Sequence, residues 1–143
     1  MILPDVNLLL YAYNGDAEQH EAAVGWLESV LAGSEPIGLT WTTILGFLRM
    51  GTHPRMFPNP MTVEEATSVV NGWLQHPAVV VLASGDRHWE ILQQMIVTGK
   101  VSGPLITDAH LAATAVEHGA VLFTTDRDFA RFPGLRWQNP LEG

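Results

Sequence analysis

The sequence contains no cysteine and a single lysine, Lys100. The first absence excludes disulfides and thiolate metal sites, and it fits a cytoplasmic protein. The second bears on partners. Seven Lys and Arg stand against fifteen Asp and Glu, so the 143-residue chain has a formal net charge of −8. Proteins that grip nucleic acid by its phosphates are usually basic, because Lys and Arg displace condensed counterions. Any nucleic-acid role here must be local or mediated by a cation, or else the acidic surface serves a basic partner. Long apolar runs are also missing: no stretch reaches the roughly 18 to 20 residues of a membrane span. The early run Leu8-Leu9-Leu10 is short and has no basic segment before it, which argues against a signal peptide. No repeat, low-complexity tract or break in composition divides the chain, so a single domain is expected over residues 1–143.

What the chain does have is an apolar share of 47% with only 15% charged residues, the balance of an ordered globule. Met1 to Pro4 reads as a first strand, with Pro4 at its end because it cannot donate to a ladder. Val6 to Tyr13 reads as a helix stopped by Asn14-Gly15, and Asp16 as the N-cap of the next, whose apolar residues recur at helical spacing up to Gly33. Pro36 to Thr40 suits a second strand and Thr42 to Met50 a helix, followed by the proline-rich loop THPRMFPNP. Thr62 and Glu65 form a capping box for a helix reaching Gln75. Val79 to Leu82 is wholly apolar, the pattern of a strand covered on both faces. Asp86 to Val97 is helical, and Thr107 caps a further helix closed by Gly119. Val121 to Phe123 is a strand leading into TTDRDF, and Arg136 to Gln138 suits an edge strand. Strands alternating with helices indicate an α/β fold with a parallel sheet.

Against this frame the placement of four carboxylates stands out. Asp5 follows the first strand, Asp126 and Asp128 follow the Val121 to Phe123 strand, and Asp108 lies in the first turn of the helix leading into it. Ligands of open α/β sheets bind beyond the carboxyl ends of the strands, where strand order reverses. If the strands bearing Asp5 and Asp126 are neighbours, the carboxylates converge. Two unit charges ~4 Å apart repel by about 4 kcal/mol at an effective dielectric near 20. Such a site either keeps protons at raised pKa or holds a divalent cation, and oxygen donors suit Mg²⁺ or Mn²⁺.

Four stretches, LPDVNLLLYAY, TWTTILGFLRMGTHPR, TDAHLAATAVEHGA and VLFTTDRDFARFPGLRW, occur in an order and spacing that resemble PIN-domain ribonucleases, specifically the VapC-type toxins of bacterial type II toxin–antitoxin pairs. The resemblance covers nearly the whole chain. It implies a PIN-like three-layer α/β/α sandwich with sheet order 3-2-1-4-5 and a metal site of Asp5, Asp108 and Asp126 with Asp128 beside it. It also implies Mg²⁺- or Mn²⁺-dependent cleavage of RNA by an endoribonuclease, a homodimer joined through the helices from Asp16 to Gly33 and Thr62 to Gln75, and a co-encoded antitoxin with a DNA-binding domain whose tail blocks the site. The family's second acidic residue usually lies on the helix after strand two, at about Gly46 here, and no Asp or Glu occurs between Glu35 and Glu64. One firmly held ion is therefore expected, with any second arriving with substrate.

Other residues have two readings each. Asn7 and Thr125 could support Asp5 or a metal-bound water, or simply serve the local turns. Arg49 could meet RNA phosphate or form a structural ion pair. The six His show no ligand spacing, and His110 is expected to pack. Trp41 and Trp137 could stack bases, although core or interface roles are the plainer expectation. Two rival functions remain: a haloacid-dehalogenase-like phosphatase, which needs an acid where Asn7 stands, and a catalytically weakened PIN scaffold that only binds RNA or antitoxin. A serine hydrolase lacks its GxSxG elbow.

Overall fold

The computed structural model describes residues 1–142. Five short strands, β1 (Ile2–Pro4), β2 (Ile37–Leu39), β3 (Val79–Val81), β4 (Val121–Phe123) and β5 (Trp137–Gln138), form one sheet of order β3-β2-β1-β4-β5. Every pairing is parallel. Ile2 pairs with Ile37 on one side of β1, while Leu3 pairs with Leu122 and Pro4 with Phe123 on the other. The strand order reverses at β1, so its carboxyl end, where Asp5 follows, is the switch point.

Six helices cover the sheet: α1 (Val6–Tyr13), α2 (His20–Ala32), α3 (Trp41–Gly51), α4 (Val63–Gln75), α5 (His88–Gly99) and α6 (Leu105–Glu117). Two apolar cores result, as a sheet covered on both faces requires. On one face Leu3 and Leu122 pack with Ile91 and Met95 of α5 and the alanines of α6. On the other, Leu39 packs with Leu9, Leu27, Phe47 and Trp73 from α1 to α4. Phe47 and Trp73 meet at 4.6 Å between ring centroids, with Tyr13 edge-on to both. This is the expected three-layer α/β/α sandwich. Among the described residues no helix is long and apolar enough to cross a membrane.

Three local expectations need correction. Asp16 does not cap α2: the Asn14 side chain accepts from the Asp16 amide at 3.1 Å, holding a turn that delays the helix to His20. Thr107 is not a cap either, because α6 starts earlier at Leu105 after Pro104 and carries Thr107 inside its first turn. Proline just ahead of a helix has no amide to leave unpaired, and its fixed φ suits the helix start. The third concerns β3. Its valines suggested a strand buried on both faces, yet β3 lies at the sheet edge, with Val80 44% and Val81 39% exposed. An edge strand has one neighbour only, and composition alone cannot distinguish it from a central one. The Thr62–Glu65 capping box is present in both directions, and Gly119 takes a left-handed φ of 65° behind α6.

Candidate active site

The chain leaves β1 at Asp5 with its amide bonded to the Phe123 carbonyl at 2.9 Å, and turns at once into α1. The Asp5 side chain is buried at 6% exposure. Its carboxylate does not close a cap onto α1. It accepts instead from the Thr124 hydroxyl at 2.8 Å. The parallel register dictates this contact: with Pro4 paired to Phe123, the next residue of each strand, Asp5 and Thr124, lie side by side. Burial pushes the Asp5 carboxyl above its ordinary value, opposed by the Thr124 hydrogen bond and by the facing amides of Val6 and Asn7, while the Asp126 charge raises it further.

The Thr124 hydroxyl also accepts the Asp126 amide at 3.0 Å, so one buried hydroxyl links the two chain segments that carry Asp5 and Asp126. Asp126 in turn caps the 3-10 helix Arg127–Arg131, accepting from the Asp128 amide at 2.9 Å. The tie of this loop is therefore Asp126 through one oxygen, and the exposed Asp128 carboxylate is left uncommitted among the described residues. Asp108 reaches the same place from α6. Its carboxyl is pushed up to about 6, first by burial and then by the charges of Asp5, Asp126 and Asp128, with Arg131 opposing. All four expected carboxylates thus belong to one electrostatic neighbourhood.

Asp5 and Asp108 line a cleft of about 490 Å³ together with Val6, Thr42, Thr43, Leu45, Gly46, Arg49, Met50, Thr107 and Leu111. Gly46, at about the position where the resemblance implies an acidic residue, lines this cleft. A Cβ there would sit 3.4 Å from Met50 Cε and 3.5 Å from Val6 Cγ2, so a side chain fits and the missing carboxylate is not a steric necessity. Arg49 is exposed in the same cleft and makes no ion pair or hydrogen bond among the described residues. Of its two readings, the structural ion pair is the one not found.

A hard cation suits this donor set, which is all oxygen and otherwise carries mutually repelling charge. Among the described residues no three acidic or imidazole side chains form a group that could hold a metal ion by themselves. Mg²⁺ does not require one, since it keeps several waters and commonly takes one or two carboxylates plus substrate phosphate.

Two expected supports are not brought to Asp5 by their side chains. Asn7 is exposed on α1, and Thr125 makes no side-chain hydrogen bond among the described residues; its neighbour Thr124 has the role. Strand pairing identifies Thr124, but only once the β1–β4 register, and not merely the sheet order, is known. His110 does more than pack. Its Nδ1 lies 2.9 Å from His88 Nε2, and His88 Nδ1 faces Glu117 at 3.5 Å. Glu117 accepts the amides of Gly85 and Arg87, which hold its carboxyl below the usual range, while burial and His88 push His110 down. Trp137 packs half-buried against the α5–α6 core, whereas Trp41 is 55% exposed.

A five-stranded parallel sheet in this order, gathering carboxylates at its switch point, is the arrangement of a PIN domain, and a PIN-domain family model matches residues 2–135. The chain belongs to the PIN-domain family. Ribonuclease VapC37 of Mycobacterium tuberculosis is 40% identical over 140 residues, covering 98% of this chain and 97% of that protein. Ribonuclease VapC43 of the same organism is also 40% identical, over all 143 residues and 97% of its own length. In fold the chain is similar to VapBC2 from Rickettsia felis bound to a DNA fragment from their promoter, with a TM-score of 0.71 at 19% identity over 97% of this chain and 98% of that one. The family match sets the chain apart from haloacid-dehalogenase-like phosphatases.

Proposed function

We propose that this protein is the toxin of a type II toxin–antitoxin pair, an endoribonuclease that cleaves RNA by attack of a metal-activated water. The observation that carries the reading is the convergence of Asp5, Asp108, Asp126 and Asp128 at the switch point, with the Thr124 hydroxyl joining two of the segments. Full-length relatives named as VapC ribonucleases support the activity, and VapBC complexes of the same fold support an antitoxin partner.

Asp5, Asp108 and the free oxygen of Asp126 would hold Mg²⁺ or Mn²⁺, directly or through water. When bound, such an ion acidifies water and neutralises charge on a phosphoryl oxygen. Thr124 holds the Asp5 carboxylate in place by donating to its Oδ2. Asp128 orients the attacking water through its uncommitted carboxylate. Arg49 holds a backbone phosphate, as a guanidinium does in bidentate fashion. Attack by water, rather than by the ribose 2′-hydroxyl, leaves 5′-phosphate and 3′-hydroxyl ends.

RNA end sequencing after expression of the wild-type chain and of its Asp5→Asn variant tests the reading. New 5′-phosphate ends in the wild type alone are expected, and 2′,3′-cyclic phosphate ends would overturn the mechanism. Calorimetric titration with Mn²⁺ separates the enzyme from a weakened scaffold, which would bind no ion. A homodimer through α2 and α4 is part of the same proposal, tested by sedimentation.

A further inference from the structure

A second cavity, of about 230 Å³, opens at the carboxyl ends of β2 and β3 and is lined by Thr40, Trp41, Thr42, Leu82, Ala83, Ser84, His110 and Thr114. Thr42 lines both this cavity and the acidic cleft, so the two are contiguous. Their chemistry differs. The acidic cleft holds Arg49 and the carboxylates, whereas this cavity has no Lys, Arg, Asp or Glu in its wall. Uncharged walls suit an uncharged group of a substrate whose charges lie next door.

Trp41, the first residue of α3, lends the cavity an indole that is 55% exposed. The hydroxyl of Thr40 below it is spent inside the fold, accepting the Thr43 amide at 3.1 Å and thereby fixing the turn that presents Trp41. On the α6 side, Thr114 donates to the His110 carbonyl, and His110 Nδ1 is occupied by His88. His110 Nε2 and the Ser84 and Thr42 hydroxyls make no hydrogen bond among the described residues and remain for a ligand. The cavity therefore combines one flat aromatic face with a few polar atoms at its edge, the composition that binds an unpaired base by stacking and edge contacts.

We infer that this cavity takes one nucleobase adjoining the cut phosphate of a single-stranded RNA, stacked on Trp41 and contacted at its edge by His110. The inference rests on the ribonuclease reading and adds where the substrate strand lies: phosphate toward Arg49 and the carboxylates, the neighbouring base across Thr42.

The test measures binding, so that it does not depend on cleavage. In an Asp108→Asn background, the affinity for a ten-nucleotide oligoadenylate is read by fluorescence anisotropy, beside the same strand made abasic. Base–aromatic stacking predicts that adding Trp41→Ala weakens the oligoadenylate about tenfold. Trp41→Phe should restore most of the loss, Trp41→Leu should not, and the abasic strand should bind all of these proteins alike. Equal oligoadenylate affinity with and without the indole would overturn the inference, as would equal losses on the abasic strand. So would unchanged RNA binding by Trp41→Ala alongside lost binding of the co-encoded antitoxin, which would make Trp41 a protein-docking residue. A wild-type chain that leaves RNA uncut, with the Trp41 pattern intact, would overturn only the ribonuclease reading.

Discussion

Replacing Asp108 by Asn should make the metal-free protein more stable while abolishing its cleavage of RNA. The Asp108 carboxyl is displaced from an ordinary 3.8 to about 6 by burial and by three neighbouring carboxylates. At neutral pH the folded chain must ionise a group that its surroundings prefer protonated. Between pH 3.8 and about 6 the folded state binds a proton that the unfolded chain releases. Stability from this residue is thus fully present below 3.8 and is lost as pH rises through about 6. A gap of roughly two units corresponds to about 3 kcal/mol at about 1.4 kcal/mol per unit. Asp108 is only half-buried, and solvent screening brings the expected gain of Asp108→Asn at pH 7.5 down to about 1 kcal/mol. For a chain of this size that is a rise of about 3 °C in Tm. The assay is thermal unfolding of both proteins in EDTA at pH 4 and at pH 7.5. The difference between the two proteins reports Asp108 together with its coupling to Asp5, Asp126 and Asp128, and cancels the more distant titrations. It should be near zero at pH 4 and favour the variant at pH 7.5; adding Mn²⁺ at pH 7.5 should then favour the wild type, because only the folded site binds the ion. A variant no more stable than wild type at pH 7.5, or equally stabilised at both pH values, would refute the claim that the carboxylates strain the fold.

Thr124→Val should cost about 1 to 3 kcal/mol in denaturant unfolding and cut RNA cleavage, since it leaves the buried Asp5 carboxylate and the Asp126 amide without their shared partner. Thr125→Val should change stability by less than about 0.5 kcal/mol, and parity between the two variants would show that the Thr124 bond is immaterial. Gly46→Asp restores a carboxylate to a cleft wall that has room for it, and calorimetry should show tighter Mn²⁺ binding or a second ion; unchanged titration would mean the position does not reach the site. Arg49→Ala should raise KM for RNA and lower the salt slope of binding by about 0.7, the share of one phosphate contact on a single strand.

Most of the architecture was legible because local signals agreed with the global fold. The apolar spacing, the Thr62–Glu65 box and the stops at Asn14-Gly15 and Gly119 all survive in the structure. What failed were readings that depend on a neighbour. Val79 to Val81 has the composition of a central strand and the position of an edge. Asp16 and Thr107 have the chemistry of caps, but Asn14 and Pro104 fix the adjoining backbone first. The candidate carboxylates stood out from their places, Asp5, Asp126 and Asp128 after strands and Asp108 in the first turn of a helix, whereas Thr124 did not, because its contact with Asp5 follows from the β1–β4 register. The His88–His110–Glu117 chain was equally hidden, its members being spread over two helices with no recognisable spacing.

The net charge of −8, which seemed to speak against an RNA partner, becomes intelligible at the scale of the cleft. Screening limits exposed charges to a reach of about 8 Å at physiological salt, so an approaching phosphate responds to its immediate surroundings rather than to the protein's total. Those surroundings are four carboxylates, with Arg49 in the cleft and Arg131 near Asp108. Left alone, the carboxylates repel both the phosphate and one another, and with burial as the larger cause this repulsion keeps Asp108 from ionising. A divalent cation changes the sign of both interactions at once, turning mutual repulsion into ligation and the acidic wall into a seat for an anion. On the proposed reading, the feature that keeps Asp108 from ionising is also the one that suits the site to a hard cation. On the proposed reading, an acidic chain acts on an acidic polymer because the two meet across a divalent ion and Arg49.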